Sequence, residues 1–193
     1  GLGDVYKRQG EGAQMQLRKS KLKFTRLNHI FISHLHGDHC FGLMGLISTF
    51  GMLGRTATLY IHCHAKLERL LTPQLDFFCK GMSYKVVFQT FDPGKAEIIY
   101  DDRSLTIETI PLRHRIPTCG FLFSEKQPPA HIRRDMIDFY EIPVYELNRI
   151  KNGADYTLPD GKIVPNNKLT IPSALPRRYA YCSDTIYFCL LYT

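Results

Sequence analysis

The sequence predicts an α/β domain in which strands and helices form separate layers. Short runs rich in β-branched and aromatic residues alternate along the chain with stretches whose apolar residues recur at helical spacing. The 193 residues are 44% hydrophobic and 22% charged, which is typical of a globular domain and excludes the disordered and fibrous classes. No stretch reaches the roughly 18 consecutive apolar residues of a membrane span. We therefore expect a cytoplasmic protein with no membrane partner.

The elements of the first half follow from apolar periodicity and turn residues. In chain order they are a short basic helix within 10–23, a strand over 27–33, a helix over 40–50, a strand over 58–62 and a helix over 66–71. Proline lacks the backbone N–H that an interior helical position donates. We therefore expect Pro73 to end the last of these helices or to open the next segment.

The second half begins with strands and then changes character. The predicted strands lie within 84–91, 96–101, 104–112 and 120–125, separated by Pro-Gly and Asp-Asp turns in the first two gaps. Residues 126–178 carry most of the prolines and many charges, with a PDG turn that indicates a small hairpin within 156–164. We interpret 126–178 as an excursion from the core, after which a strand over 177–184 ends on Asp184.

Charge is unevenly spread along the chain. The formal net charge is +7, with a basic block over 18–26 and further arginines and lysines between 133 and 178. Such a balance favours a polyanionic partner such as nucleic acid, because basic side chains release the counterions of a phosphate backbone. Charge alone does not exclude the alternative that the protein is basic but has no acidic partner.

Three histidines and an aspartate crowd the segment HLHGDH at the end of the first predicted strand: His34, His36, Asp38 and His39. Side chains two apart in a strand point to the same side, and Gly37 permits a tight bend between them. Imidazole and carboxylate groups are ligands of zinc, and holding them this close without a cation is costly. The pattern predicts a metal site, with His34 and His36 on one ion and Asp38 and His39 on a second.

HLHGDH resembles the signature of the metallo-β-lactamase superfamily. Its setting, FISHLHGDHCFGLMGL together with GEGAQ at 10–14, is similar to the ribonuclease Z family, and the resemblance extends over 10–188. It implies a four-layer αββα sandwich, incomplete here, with 126–178 as an inserted arm-like segment. Residues 1–9 and 189–193 continue no neighbouring pattern, and we expect them to be non-native tails.

The resemblance also implies the ligands of two zinc ions. They would be His34, His36, Asp38, His39, His114 and Asp184. His114 is matched because a Gly-aromatic pair, Gly120 and Phe121, follows it, and Asp184 is matched as a bridging ligand by the motif SDT. Asp38 would also accept the proton of the attacking water. His62 and His64 have ligand spacing, but they fall at an ordinary strand-to-helix turn of the family, and we interpret them as structural or exposed.

The implied activity is that of a two-zinc endoribonuclease that removes the 3′ trailer of precursor tRNA and leaves a 3′-hydroxyl. The family resemblance implies a homodimer whose arm binds tRNA, and Arg149 and Lys151 are the arm residues we expect to contact phosphates. Two alternatives remain: another two-metal hydrolase of the superfamily, such as an arylsulfatase-like enzyme or a cyclic-nucleotide phosphodiesterase, and a non-catalytic metal-binding RNA module.

The chain departs from the family pattern at both ends. The family expects an N-terminal strand pair and an aspartate before GEG, and beyond Asp184 a HEAT-like motif and a last histidine for the second zinc. We therefore expect a fragment truncated at both ends that holds the first zinc and turns over weakly or not at all.

Overall fold

A computed structural model of the chain describes residues 26–187, the single positions Met15 and Lys19, and the backbone of 5–7. The basic helix predicted within 10–23 lies outside these residues apart from its two described positions, as does the GEGAQ motif. Most of the two predicted tails lies outside them as well, and their non-native origin stays a prediction. None of the described helices is both long enough and apolar enough to cross a membrane.

The first sheet is parallel throughout. Its strands, in spatial order, are β1 (Val5–Lys7), β2 (His29–Phe31), β3 (Leu59–His64) and β4 (Val86–Phe91). Its helices are α1 (Gly37–Cys40) and α2 (Gly42–Met52) between β2 and β3, and α3 (Ala65–Phe78) between β3 and β4. A parallel pair needs a crossover connection, and these helices provide it. The predicted strands and helices are confirmed here, with β2 shorter than expected.

Helix α3 is longer than predicted: it continues past Pro73, which lies in its interior. Proline removes one interior hydrogen bond, but Pro73 is exposed, so the carbonyl oxygen left without that donor lies near solvent. Leu67 and Leu71 hold the helix in place because both are buried against the first sheet. The expectation that Pro73 ends this helix or opens the next segment is therefore wrong: burial of the apolar face outweighs the loss of one hydrogen bond.

Side chains alternate along β3, as the period of two in a strand requires. Leu59, Ile61 and Cys63 are buried on the face that packs against α2 and α3. Burial contributes about 1.5–3 kcal/mol for each large apolar side chain, which explains why this face holds the helices. His62 lies on the other face of the sheet, where its ring stacks on Phe31 at 4.2 Å.

The second sheet packs against that other face. Its strands, in spatial order, are β12 (Arg178–Tyr181), β7 (Thr118–Glu125), β6 (Leu105–Leu112) and β5 (Ile98–Asp101). Phe31 of the first sheet meets Phe121 and Phe123 of the second edge-to-face, with ring centroids 5.5 and 6.0 Å apart. The described residues thus form three layers, one of helices and two of sheet, of the expected αββα sandwich.

Residues 103–105 and 124–178 form a second compact unit. Its elements are β8 (His131–Ile132), α4 (Arg134–Phe139), a 3₁₀ turn (Val144–Glu146), α5 (Leu147–Lys151), β9 (Tyr156–Thr157), β10 (Ile163–Val164), α6 (Asn166–Leu169) and β11 (Thr170–Ile171). β9 and β10 form the hairpin predicted at the PDG turn, where Gly161 adopts a φ of 85°. The unit has its own apolar core, centred on Ile150 and Leu169, both fully buried.

Candidate metal centre

The loop that follows β2 is hydrogen-bonded to both sheets. The N–H of Ile32 donates to the carbonyl oxygen of His62 in β3 (3.0 Å), and the N–H of Cys119 in β7 donates to the carbonyl oxygen of Ser33 (3.1 Å). These two bonds fix the backbone on either side of Ser33. His34 therefore enters the space between the ends of the two sheets, where it is buried.

The bend at Gly37 turns the chain from this loop into α1. The N–H of His39 donates to the carbonyl oxygen of His36 (3.0 Å), which closes the first turn. The ring of Phe41 covers Gly37 so closely that a Cβ added there would lie 2.3 Å from Cε2 of Phe41. The tight turn predicted at Gly37 is present, and it brings the ring of His39 beside that of His34, with centroids 3.9 Å apart.

The second sheet supplies two further side chains from the ends of its strands. His114 follows β6, and Asp184 follows β12. The two loops are joined because the N–H of Ile186 donates to the carbonyl oxygen of Arg113 (2.9 Å), and the hydroxyl of Thr185 donates to the same oxygen (3.3 Å). The loop that carries His114 and the loop that carries Asp184 are thus hydrogen-bonded to each other.

Four predicted ligands meet in one cluster: His34, His36, His114 and Asp184, whose ligand atoms all lie within 4.8 Å of one another. Nδ1 of His36 is 3.2 Å from Nε2 of His114, and Nε2 of His34 is 3.7 Å from Oδ2 of Asp184. Three imidazoles and a carboxylate at such spacing are a donor set suited to zinc.

His39 and Asp38 lie at the edge of this cluster. Nε2 of His39 is 3.2 Å from Oδ2 of Asp38 and 3.7 Å from Oδ2 of Asp184. The same oxygen of Asp184 is thus equally far from His34 and from His39. The structure therefore brings together all six residues of the predicted set, with the Asp184 carboxylate close to both histidines.

His34 is held in the neutral form that a metal ligand needs. Burial, followed by the like charge of His39, lowers the pKa of His34 to about 4, although Asp184 acts in the opposite direction. Nδ1 of His34 is hydrogen-bonded to Oγ of Ser33 at 3.0 Å. Nε2 is buried and has no hydrogen-bond partner within 26–187, the described part of the loops and sheets around it. Such an atom is costly to leave unsatisfied, and a metal ion would satisfy it.

The carboxylate of Asp184 is kept ionised. Desolvation raises its pKa, but His39, the hydroxyl of Ser183 and His34 together lower the pKa below the usual value. Ser183 makes this contact by donating a hydrogen bond to Oδ1 of Asp184 at 3.2 Å. A negative charge at the centre of the histidines favours a bound cation.

Gly120 of β7 allows the segment that carries Asp184 to approach. A Cβ at Gly120 would lie 2.6 Å from the backbone oxygen of Tyr181 and 3.1 Å from Sγ of Cys182. Only glycine leaves room for this contact. In the sequence, Gly120 stood out only through the family resemblance, and its structural reason becomes visible in the packing of β12 on β7.

The remaining predicted residues lie outside the cluster. His62 is buried, and its Nε2 is 3.1 Å from Nδ1 of His29, a partner that the sequence alone did not indicate. Nδ1 of His64 accepts a hydrogen bond from the N–H of Lys66 and caps α3. In the second unit, the guanidinium of Arg149 donates two hydrogen bonds to the carboxylate of Glu146. Lys151 is exposed at the end of α5.

Known proteins resemble the chain over nearly its whole length. The beta-lactamase superfamily domain family matches residues 8–134. A ribonuclease Z of Phocaeicola vulgatus is 99% identical over 178 residues, which are 92% of this chain and 58% of that protein. A ribonuclease Z of Bacteroides fragilis is 69% identical over 92% of this chain and 59% of its own length. The chain thus spans about three-fifths of the curated relatives it matches.

A solved structure agrees with the fold. Human tRNase Z, short form, is 29% identical, with a TM-score of 0.53 over 64% of this chain and 54% of the human chain. The metallo-β-lactamase fold predicted from HLHGDH is therefore confirmed.

Proposed function

Because the chain belongs to the beta-lactamase superfamily, we propose that its metal cluster serves an endoribonuclease that removes the 3′ trailer of precursor tRNA and leaves a 3′-hydroxyl. The observation that carries the proposal is the cluster of His34, His36, His114 and Asp184 in a chain nearly identical to a protein named ribonuclease Z. The net charge of +7 suits a polyanionic substrate.

The cofactor we propose is zinc, two ions in the intact enzyme. His34, His36 and His114 would hold the first ion, Asp38 and His39 the second, and Asp184 would lie between the two. Bound zinc supplies a more acidic water and offsets negative charge on the phosphoryl oxygens. The donor set supports this choice, because imidazole nitrogens and carboxylate oxygens are preferred zinc ligands.

Residues of the chain have distinct tasks in this proposal. Asp38 is the proton acceptor by analogy with the family; its side chain is 65% exposed, and its Oδ2 lies 3.2 Å from Nε2 of His39 at the edge of the cluster. Ser33 orients His34: if Nδ1 donates to the hydroxyl, Nε2 is left with its lone pair toward the ion. Asp184 contributes charge at the centre, with Ser183 holding Oδ1.

The second unit is the proposed tRNA-binding arm. It projects Arg149 and Lys151 from the last turn of α5, where both side chains are exposed. Basic side chains bind phosphate oxygens irrespective of base sequence, which suits recognition of a folded RNA. We further propose a cytoplasmic homodimer, by analogy with the family.

A cleavage assay tests the function. The chain, joined to the remainder of the P. vulgatus relative and loaded with zinc, is expected to cut precursor tRNA at the trailer and to leave a 3′-hydroxyl. The His34→Ala variant should lose this activity, whereas His131→Ala, which changes an exposed histidine of the second unit, should retain it. The 193-residue chain alone is expected to turn over far more slowly. Turnover equal to that of the longer protein would contradict that expectation.

A second substrate separates the proposal from its rivals. Bis(p-nitrophenyl) phosphate is a substrate that a general two-metal phosphodiesterase would hydrolyse without an RNA-binding arm. Efficient hydrolysis of this ester by the longer protein, with no cleavage of precursor tRNA, would favour another hydrolase of the superfamily. Zinc and RNA binding without cleavage of either substrate would favour a non-catalytic module.

A further inference from the structure

A cavity of about 210 Å³ lies beside the metal cluster. Its lining residues are Leu35, His36, His64, Lys66, Ile116 and Pro117. They come from the ligand loop after β2, from the start of α3 and from the loop between β6 and β7. The cavity is therefore formed by the same chain segments that position the metal ligands.

His36 connects the cavity with the metal centre. It lines the cavity, and it is also one of the four clustered side chains, with its Nδ1 3.2 Å from Nε2 of His114. A group bound in the cavity would therefore lie against His36, one of the metal ligands. The cavity is therefore in position to hold a part of the substrate next to the reacting phosphate.

Two polar groups of the cavity, on His64 and Lys66, are suited to hydrogen-bond acceptors or anions. Nδ1 of His64 accepts the N–H of Lys66 at 3.1 Å, so the proton of the neutral ring is on Nε2, which can donate. The Lys66 side chain is exposed and adds an ammonium group. None of the described lining residues is acidic. The described lining side chains thus offer a cationic ligand no carboxylate.

The remaining walls are apolar. Leu35, Ile116 and Pro117 provide them, and Leu35 and Ile116 are half-buried. The volume is smaller than the roughly 300 Å³ at which pockets for drug-sized molecules begin, so it suits one flat ring system rather than a large ligand. Apolar walls beside a cationic rim match a nucleobase attached to a phosphate.

We propose that this cavity binds the base of a nucleotide next to the scissile phosphate, with Lys66 contacting a phosphate of the same strand. This inference rests on the proposed function and deepens it, because it assigns a position for one base outside the metal cluster. His64 is a further contact, through Nε2, for a carbonyl oxygen or a ring nitrogen of the base.

A binding titration tests the inference without any need for cleavage. The probes are adenosine 3′-phosphate, adenosine 5′-phosphate and ribose 5-phosphate, titrated into the zinc-loaded chain. At least one of the two nucleotides is expected to bind about tenfold more tightly than ribose 5-phosphate, because stacking and burial of a base add affinity. Preference for the 3′-phosphate assigns the cavity to the base before the scissile phosphate, and preference for the 5′-phosphate to the base after it.

Two variants connect this affinity to the cavity. Ile116→Trp fills the space and should abolish the advantage of the nucleotide over ribose 5-phosphate at unchanged zinc content. Lys66→Ala, at an exposed position, should weaken both ligands severalfold, whereas Lys80→Ala, an exposed lysine just after the same helix, should change neither.

Equal affinity for nucleotides and ribose 5-phosphate would overturn the inference, as would a tenfold advantage that survives in Ile116→Trp, or affinities for both ligands that stay unchanged in Lys66→Ala. The proposed function fails separately. If the longer protein cuts precursor tRNA but the cavity variants bind nucleotides normally, only the cavity assignment is wrong. If precursor tRNA is neither bound nor cut, the function on which the inference rests is wrong.

Discussion

Oδ2 of Asp184 lies 3.7 Å from Nε2 of His34, although the two residues stand near opposite ends of the chain. Nε2 of His34 is buried, and the side chain of Asp184 is 42% exposed. The contact therefore joins the buried end of a loop of the first sheet to a partly accessible loop of the second. A metal ion held here would link the two sheets, so that metal binding and the stability of the sandwich should be coupled.

Replacing Asp184 tests its position at the centre of the cluster. Asp184→Asn keeps the shape of the side chain and removes its charge, so zinc affinity should fall at least tenfold, about the loss caused by removing a supporting group of a metal site. Competition with a chromophoric chelator measures this affinity. Asp138→Asn, at an exposed position of α4, is the matched control. Equal zinc affinity in both variants would remove Asp184 from the site.

Two glycines should respond differently to alanine. At Gly120 a new Cβ meets the backbone oxygen of Tyr181 at 2.6 Å, which cannot move aside without displacing β12. Gly120→Ala should cost about 1–3 kcal/mol in the free energy of unfolding and weaken zinc binding through Asp184. At Gly37 the obstacle is the exposed ring of Phe41, which can rotate away, so Gly37→Ala should cost less. Denaturant unfolding of both variants measures the difference, and equal costs would contradict it.

The buried His62 should make the fold less stable in acid. Burial, followed by the nearby His29, lowers the pKa of His62 to about 3 from an ordinary value of 6.5. As the pH falls, His62 therefore becomes protonated near pH 6.5 in the unfolded chain but only near pH 3 in the folded chain. Stability from this residue is complete above pH 6.5 and falls as the pH drops toward 3. The resulting loss in the free energy of unfolding amounts to a few kcal/mol, at about 1.36 kcal/mol per pKa unit.

His62→Phe should flatten this dependence. The phenyl ring can occupy the place beside Phe31 where His62 stacks, without a group that titrates. Unfolding by urea between pH 4 and 7 with a chelator present measures the slope, so that the site histidines titrate equally in every protein. His131→Ala, which removes an exposed histidine, should leave the slope as it is. A wild-type slope in His62→Phe would show that another group is responsible.

Lys151 and Arg149 should contribute differently to RNA binding. Arg149 already donates to both carboxylate oxygens of Glu146, at 3.1 and 3.0 Å, and must share its donors with that partner. Lys151→Ala should therefore reduce the slope of log K against log salt for precursor tRNA by about 1, and Arg149→Ala by less. The double variant should bind more weakly with a flatter slope, and Lys80→Ala should bind normally. An unchanged slope in the double variant would argue against phosphate contacts by this arm.

Much of the secondary structure could be predicted from local patterns. The apolar runs and helical spacing before Phe91 place strands and helices nearly where they lie, and the PDG turn marks its hairpin. Pro73 shows the limit of such reasoning. A proline rule describes one hydrogen bond, whereas the helix is held by Leu67 and Leu71, whose burial depends on the whole sheet. The partner of His62 was likewise hidden, because its neighbour His29 lies on an adjacent strand.

The sequence by itself determined the kind of site: HLHGDH names the ligand types, and their spacing on a strand end is a local property of the chain. The family resemblance implied that His114 and Asp184 complete the set, and only the tertiary structure decided the distances at which they meet it. The distance from Asp184 to His34 depends on the register of two sheets and on the absence of a side chain at Gly120. The cavity at Lys66 depends on two loops and the start of a helix that are far apart in the sequence. The spacing of neighbouring residues follows from backbone geometry. Distances between residues of different segments follow from packing, which exists only in the folded chain.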